Sequence, residues 1–160
     1  MPKITPFLWF NNQAEEAMNF YIATFGDAKV HTVKRYPEGS PGPAGSVMTA
    51  QFELMGQTFI ALNGGPHYSF TPAISFVVDC QNQAEVDHYW SALTDGGTEV
   101  QCGWLVDRFG LSWQVVPTVL PELLGGPDPA AAQRAMQAMM KMKKLDIAEL
   151  QRAYAGSAAG

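Results

Sequence analysis

Positive charge is scarce in this chain. Lys and Arg together number ten, against fifteen Asp and Glu, for a formal net charge of −5. A nucleic-acid binder needs a basic stripe to neutralise phosphates. The densest basic cluster here is Lys141, Lys143 and Lys144, so no nucleic-acid partner is expected. No apolar run reaches the length of a membrane span, and no membrane partner is expected. Cysteine is limited to Cys80 and Cys102, and no long apolar leader follows Pro2 and Lys3. Free thiols in a reducing cytoplasm are the expectation. His31, His67 and His88 complete the short supply of strong metal ligands and show no ligand spacing. The pairs Gly64-Gly65, Gly96-Gly97 and Gly125-Gly126 stand outside any strand–GxGxxG–helix context. A dinucleotide-type glycine turn is therefore excluded.

What remains is globular: 47% hydrophobic and 16% charged residues over 160 positions. A chain of this size buries roughly 70% of its unfolded surface, enough for a core and a pocket.

The chain repeats itself. Asn12-Gln13-Ala14-Glu15 recurs as Asn82-Gln83-Ala84-Glu85, and the same offset of 70 aligns Thr24 with Thr94, Gly26 with Gly96 and Val30 with Val100. Chance would give about one identity over such a window. Each copy opens a helix with the same signal: Asn12 or Asn82 as N-cap, with Glu15 or Glu85 at the third helical position. Ala14, Ala17, Met18, Tyr21, Ile22 and Phe25 make a 3.6-residue stripe, as do Val86, Tyr89, Trp90 and Leu93. Gly26 and Gly96 are expected to end these helices in the left-handed conformation.

Strands are predicted over 4–10, 28–36, 47–54 and 57–63 in the first copy. In the second they are predicted over 73–79, 98–102, 104–106 and 111–116. Met55-Gly56 and Asp107–Gly110 read as tight turns. Each half is thus β-α-β-β-β, and the fold class is α+β. Pro37–Gly45 reads as a mobile loop, suited to moving over a pocket. Residues 1–118 are expected to hold the paired modules (about 3–64 and 72–117). Residues 119–156 would form a C-terminal helical extension packing on the domain or on a partner subunit. Its helices are predicted over 130–144 and 146–155, with Pro121–Pro129 breaking the chain and Ser157–Gly160 fraying.

AEEAMNFY at 14–21, ALNGGP at 61–66 and QCGWLVDRFGLSWQVVP at 101–117 resemble the PhnB-like branch of the vicinal oxygen chelate superfamily. That superfamily includes the glyoxalase and bleomycin-resistance proteins, and the branch carries the label 3-demethylubiquinone-9 3-methyltransferase. The resemblance implies paired βαβββ modules around a cavity, and homodimers. Metal-dependent members take His, Glu or Gln ligands from the first and last strands of each half. Carried over, those positions fall at or beside Thr5, at Ile60 or Ala61, at Ala73 and at Gln114. Only Gln114 has a ligating group, so no metal and no cofactor are expected.

Alternation along strands places Thr5, Phe7 and Trp9 on one face, Ala73 with Ser75, and Ser112 with Gln114 and Val116. Asn63, Cys102 and Trp104 lie near strand ends. These give the ligand-pocket candidates Thr5, Phe7, Trp9, Asn63, Ser75, Cys102, Trp104, Ser112 and Gln114. The catalytic residues are unknown. The leading expectation is a protein that binds a small organic molecule without a metal, in the cavity between the modules. The alternative is a glyoxalase- or dioxygenase-type lyase or oxidoreductase with an atypical metal site using Gln114 and His67. A third reading is a regulatory interaction protein acting through Met136, Met139, Met140 and Met142. The methyltransferase label has no glycine-rich cofactor turn to support it.

Overall fold

The computed structural model of the chain describes residues 4–156. The predicted start of the first module at residue 3 and the predicted fraying of 157–160 lie outside them. The chain divides into two compact units, residues 1–70 and 71–160.

The first unit runs β1 (Phe7–Phe10), α1 (Ala14–Thr24), β2 (Ala28–Arg35), β3 (Val47–Leu54) and β4 (Gln57–Asn63), with sheet order β1-β4-β3-β2. β1 pairs with β4 in parallel; the other pairings are antiparallel. Phe7 opposes Ile60, and β1 begins later than predicted because Pro6 has no N–H to give the ladder; its carbonyl still accepts from the Ile60 amide. Met55 and Gly56 turn the β3–β4 hairpin with φ of 49° and 84°, the doubly positive pair that a two-residue hairpin turn demands. Leu8, Phe10, Ala50, Phe52, Leu54, Phe59 and Ala61 are buried beneath Ala17, Met18 and Tyr21 of α1. Tyr21 stacks on Phe52, and Phe52 on Phe59. Each such ring contributes about 2 kcal/mol by leaving water.

The second unit repeats the order: β5 (Ser75–Cys80), α2 (Gln83–Thr94), β6 (Thr98–Glu99), β7 (Trp104–Val106) and β8 (Ser112–Pro117), arranged β5-β8-β7-β6. Its core is Val78, Cys80, Val86, Trp90, Leu93, Leu105, Trp113 and Val115. Asp107 is buried in the β7–β8 turn. Its carboxylate accepts from the amides of Phe109 and Leu111 and from Trp113 Nε1.

Three helices follow: α3 (Val119–Leu124), α4 (Pro129–Met140) and α5 (Ile147–Ala155). Pro121 does not break α3, since it sits in the first turn, where an amide has no helical partner. α4 stops short of the predicted Lys144 because the carbonyls of Met142 and Lys143 are used elsewhere. They accept from the amides of Cys102 and Gly103, and Cys102 holds φ +61° to allow it. That turn also shortens β6 to two residues. Gln83 clamps the same segment, its Nε2 donating to the Leu145 carbonyl and its Oε1 accepting from the Ile147 amide. Leu120, Leu145 and Leu150 form the buried cluster beneath, with Val116, Leu123, Met139 and Met142 against it. The four methionines of this segment are split: Met139 and Met142 pack against this cluster, while Met136 and Met140 are exposed.

Candidate functional site

Strand alternation gives each sheet two faces. In the first unit α1 covers one; the side chains of Phe7, Trp9, Thr49, Gln51, Glu53, Ile60 and Leu62 lie on the other. In the second unit α2 covers one, and Ser75, Val77, Trp104, Ser112 and Gln114 lie on the other. The register sets the neighbours: Ser75 opposes Ser112, while Val77 and Trp104 flank Gln114 from either side.

Two of the predicted first-unit residues lie on the open face. Phe7 is exposed there; Trp9 is half-buried, its Nε1 donating to the Gly65 carbonyl at 2.8 Å and its ring meeting Tyr68 edge-on at 4.9 Å. Thr5 precedes β1 and is exposed. Asn63 is engaged in holding the fold: Oδ1 accepts from the Ala14 amide and Nδ2 donates to the Val47 carbonyl.

In the second unit Ser75, Ser112 and Gln114 come together. Gln114 Nε2 donates to Ser75 Oγ at 2.9 Å. Ser112 is 1% exposed, and its Oγ has no hydrogen-bond partner. Leaving such a hydroxyl unpaired costs about 1–3 kcal/mol, so this is the place on the sheet most in need of a partner. Cys102 sits in the turn that holds the C-terminal segment. The other thiol, Cys80, is pushed up to about 12 by burial, then by Glu85 and Asp79, which makes it a poor nucleophile.

The register sets Phe7 opposite Ile60 and Val77 opposite Gln114, while Thr5 precedes β1. Ala73 lies in the turn before β5, where its amide donates to Thr71 Oγ1. Phe7, Ile60 and Val77 bring only carbon, so the donor set does not fit a divalent metal. Among the described residues, no three His, Cys, Asp or Glu side chains come together as a metal site.

One polar pair on the open face of the first sheet was not foreseen. His31 Nε2 and Glu53 Oε1 are 3.2 Å apart. The residues are 22 apart in sequence, and only the β2–β3 register brings them together.

Several clefts are each lined by residues of one unit, and none of them contains Ser75, Ser112 or Gln114. One of about 540 Å³ in the first unit is lined by Asn12, Glu15, Arg35, Tyr36 and the Pro41–Pro43 loop. Here the 37–45 segment folds back on its own strands: the Gly45 amide donates to the Tyr36 carbonyl, and Arg35 donates to the Gly45 carbonyl. Another, of about 530 Å³, lies between α4 and α5.

Residues 2–116 match the family described as 3-demethylubiquinone-9 3-methyltransferase. A PhnB protein from Bacillus cereus is 36% identical, with 73% of this chain and all of that one covered, at a TM-score of 0.68. A Pseudomonas aeruginosa protein is 23% identical over 73% of this chain and 98% of its own, at 0.62, and shares the fold. No curated protein matches. The matched residues stop where β8 ends, so α3–α5 lie beyond the family region. On the family match and the Bacillus protein together, the chain belongs to the PhnB-like family labelled 3-demethylubiquinone-9 3-methyltransferase.

Proposed function

We propose that this chain binds a small, neutral organic molecule on the open face of the second sheet, without a metal. The observation that supports this most is the buried, unpartnered Ser112 hydroxyl. Beside it, Gln114 has given an amide N–H to Ser75 and keeps its carbonyl oxygen to accept. A donor and an acceptor on adjacent positions, between Val77 and Trp104, suit a molecule with one carbonyl or hydroxyl group on an apolar body. All three polar side chains are uncharged, so a charged ligand would find no counter-ion among them.

Methyl transfer is a poor fit for this architecture. β1 leads through Asn11, Asn12 and Gln13 into α1 with no glycine. Each sheet is a mixed four-stranded one, not the parallel doubly wound sheet of such cofactor sites. The lyase or oxidoreductase alternative requires a metal held by Gln114 and His67, a sparse ligand set of one amide oxygen and one imidazole.

Native mass spectrometry of the freshly purified protein tests the reading. A retained organic molecule and no metal are expected. Ser112→Ala is expected to lower affinity for that molecule about tenfold, the worth of one hydrogen bond, without lowering stability, since the hydroxyl has no partner in the fold. One equivalent of metal lost on Gln114→Ala would favour the alternative. Unchanged ligand retention in Ser112→Ala would reject the site. The same spectrum reports subunit count. A homodimer is expected, supported by the exposed apolar side chains Phe7, Ile74, Val77, Met136 and Met140.

A further inference from the structure

The open face of the first sheet carries an arrangement that the second lacks. β2 contains a bulge: Val30 opposes Phe52 and Thr32 opposes Gln51, leaving His31 as the extra residue. Bulges re-aim side chains, and they concentrate at sheet edges and beside active sites. This one puts His31 on the open face beside Thr32, against the Glu53 carboxylate at 3.2 Å. The carboxylate accepts the Nε2 proton, which makes Nδ1 the basic nitrogen. Nδ1 has no partner among the described residues, and the His31 side chain is 34% exposed.

Three rows of side chains cross this face. Phe7, Ile60, Gln51 and Thr32 form the middle row; Thr58, Glu53 and Lys29 lie on one side, and Trp9, Leu62, Thr49 and Lys34 on the other. The β1–β4 half is apolar; the β3–β2 half holds the dyad between Lys29 and Lys34. Strands are about 4.8 Å apart, so Ile60 on β4 and His31 on β2, two strands away, are roughly 10 Å apart across the sheet, with Glu53 on the strand between. A single ring with one polar substituent spans that distance.

We propose that this face binds a weakly acidic organic molecule with a flat apolar body, of phenol or enol type. Its hydroxyl proton passes to His31 Nδ1, the O–H electron pair staying on oxygen. The products are an organic anion and an imidazolium held by Glu53. Lys29, whose Nζ is 3.9 Å from Glu53 Oε2, and Lys34 are the other charges on this face and favour the anion. A carboxylic acid is a worse match: it arrives already ionised, and Glu53 repels it with no proton gained.

The probe is 4-nitrophenol, whose phenolate is coloured, at a pH below its free midpoint. The wild-type protein is expected to bind it saturably and to lower its apparent pKa by about one unit, a tenfold gain in ionised probe. His31→Gln is expected to abolish the shift and Glu53→Gln to reduce it. Gln133→Ala, exposed on α4, is expected to leave it intact, and ligand retention in the native mass spectrum reports the second-sheet site separately, so the two failures are distinguishable. 4-Nitroanisole, which has no proton to give, is expected to bind more weakly. Should His31→Gln misfold, the wild-type His31 ring signals in proton NMR serve instead: their titration midpoint rises when the probe binds. No saturable colour change, an unchanged shift in a folded His31→Gln, or an unmoved His31 midpoint overturns the proposal.

Discussion

The two modules share an order of elements and a sequence signal, yet they solve the same local problems with different atoms. Thr24 and Thr94 behave alike, each hydroxyl donating to the carbonyl four residues back. The helix starts do not. Asn82 caps α2 by accepting from the Glu85 amide, and Glu85 reaches back to the Gln81 amide. In α1 the N-cap position falls on Gln13, with no side-chain bond, and the first amide is taken by Asn63 from β4. The expected capping role of Asn12 is absent: the N-cap position is Gln13 (φ −111°, ψ 16°), one residue later. A duplicated string preserved the helix but not the means of starting it. The open faces diverge further: a His–Glu pair between lysines on one, uncharged Ser and Gln on the other.

The largest expected difference lies in the segment that only the second unit has. Leu145 is fully buried and packs within 3.2 Å of where a Gly103 side chain would begin. Leu145→Ala should cost about 3 kcal/mol and free α4 and α5, read as faster amide exchange there. The first unit is expected to keep its protection. Loss of protection across residues 4–70 to the same degree would show that the units do not unfold separately.

The caps come next. Asn63 satisfies two backbone groups in different elements and is half-buried, so Asn63→Ala should cost about 2 kcal/mol. Asn82 caps an exposed helix end, and its loss should cost about 1 kcal/mol. Equal costs by urea unfolding would mean that the two helix starts are energetically equivalent after all.

The glycines at offset 70 sharpen the same contrast. Both were expected to be left-handed, but only Gly96 is, at φ +78°, with Arg108 packed 3.3 Å from where a Cβ would sit. Gly26 has no positive φ and nothing within 4 Å, although Phe25 and Asp95 before the two glycines are both extended. Gly96→Ala should cost about 1 kcal/mol, whereas Gly26→Ala should be neutral or stabilise by about 0.5 kcal/mol. Thermal unfolding of the pair decides it, and a penalty at Gly26 matching that at Gly96 would be the contrary result.

Local signals carried most of the fold into view. β3, β4 and β7 run over the predicted residues, and both helices fall within a residue of their predicted bounds, because alternation and 3.6-residue stripes are properties of short windows. Alternation also put Ser112 and Gln114 on one face and Trp113 on the other. What the sequence hid depends on register and on distant partners. Asn63 looked like a pocket residue, since nothing local shows it reaching Ala14. His31 and Glu53 pair only through a bulge. The end of α4 is set by the turn at Cys102, some forty residues earlier in the chain.

The smallest expected effect tests how the C-terminal segment is held. Lys144 Nζ lies 2.8 Å from Asp87 Oδ1 on α2, and both side chains are nearly half exposed. The hydrogen bond from Lys144, then that from Gln83, holds the Asp87 carboxyl below its usual 3.8. A carboxyl depressed in the folded state contributes stability that is complete above its unfolded value and is lost as pH falls through the folded one. The contribution is therefore intact at neutral pH and disappears only below 3.8. Exposure limits its size to about 0.3 kcal/mol, and salt screens it further. A double-mutant cycle of Asp87→Asn and Lys144→Gln, followed by urea unfolding, isolates the pair from the other carboxylates that titrate in the same range. Coupling of that size at neutral pH, vanishing in acid and shrinking in high salt, is the expected pattern. Coupling above about 1 kcal/mol would be out of range for an exposed pair; it would mean that this ion pair, rather than the Gln83 clamp and the Leu145 contact, holds the segment against α2.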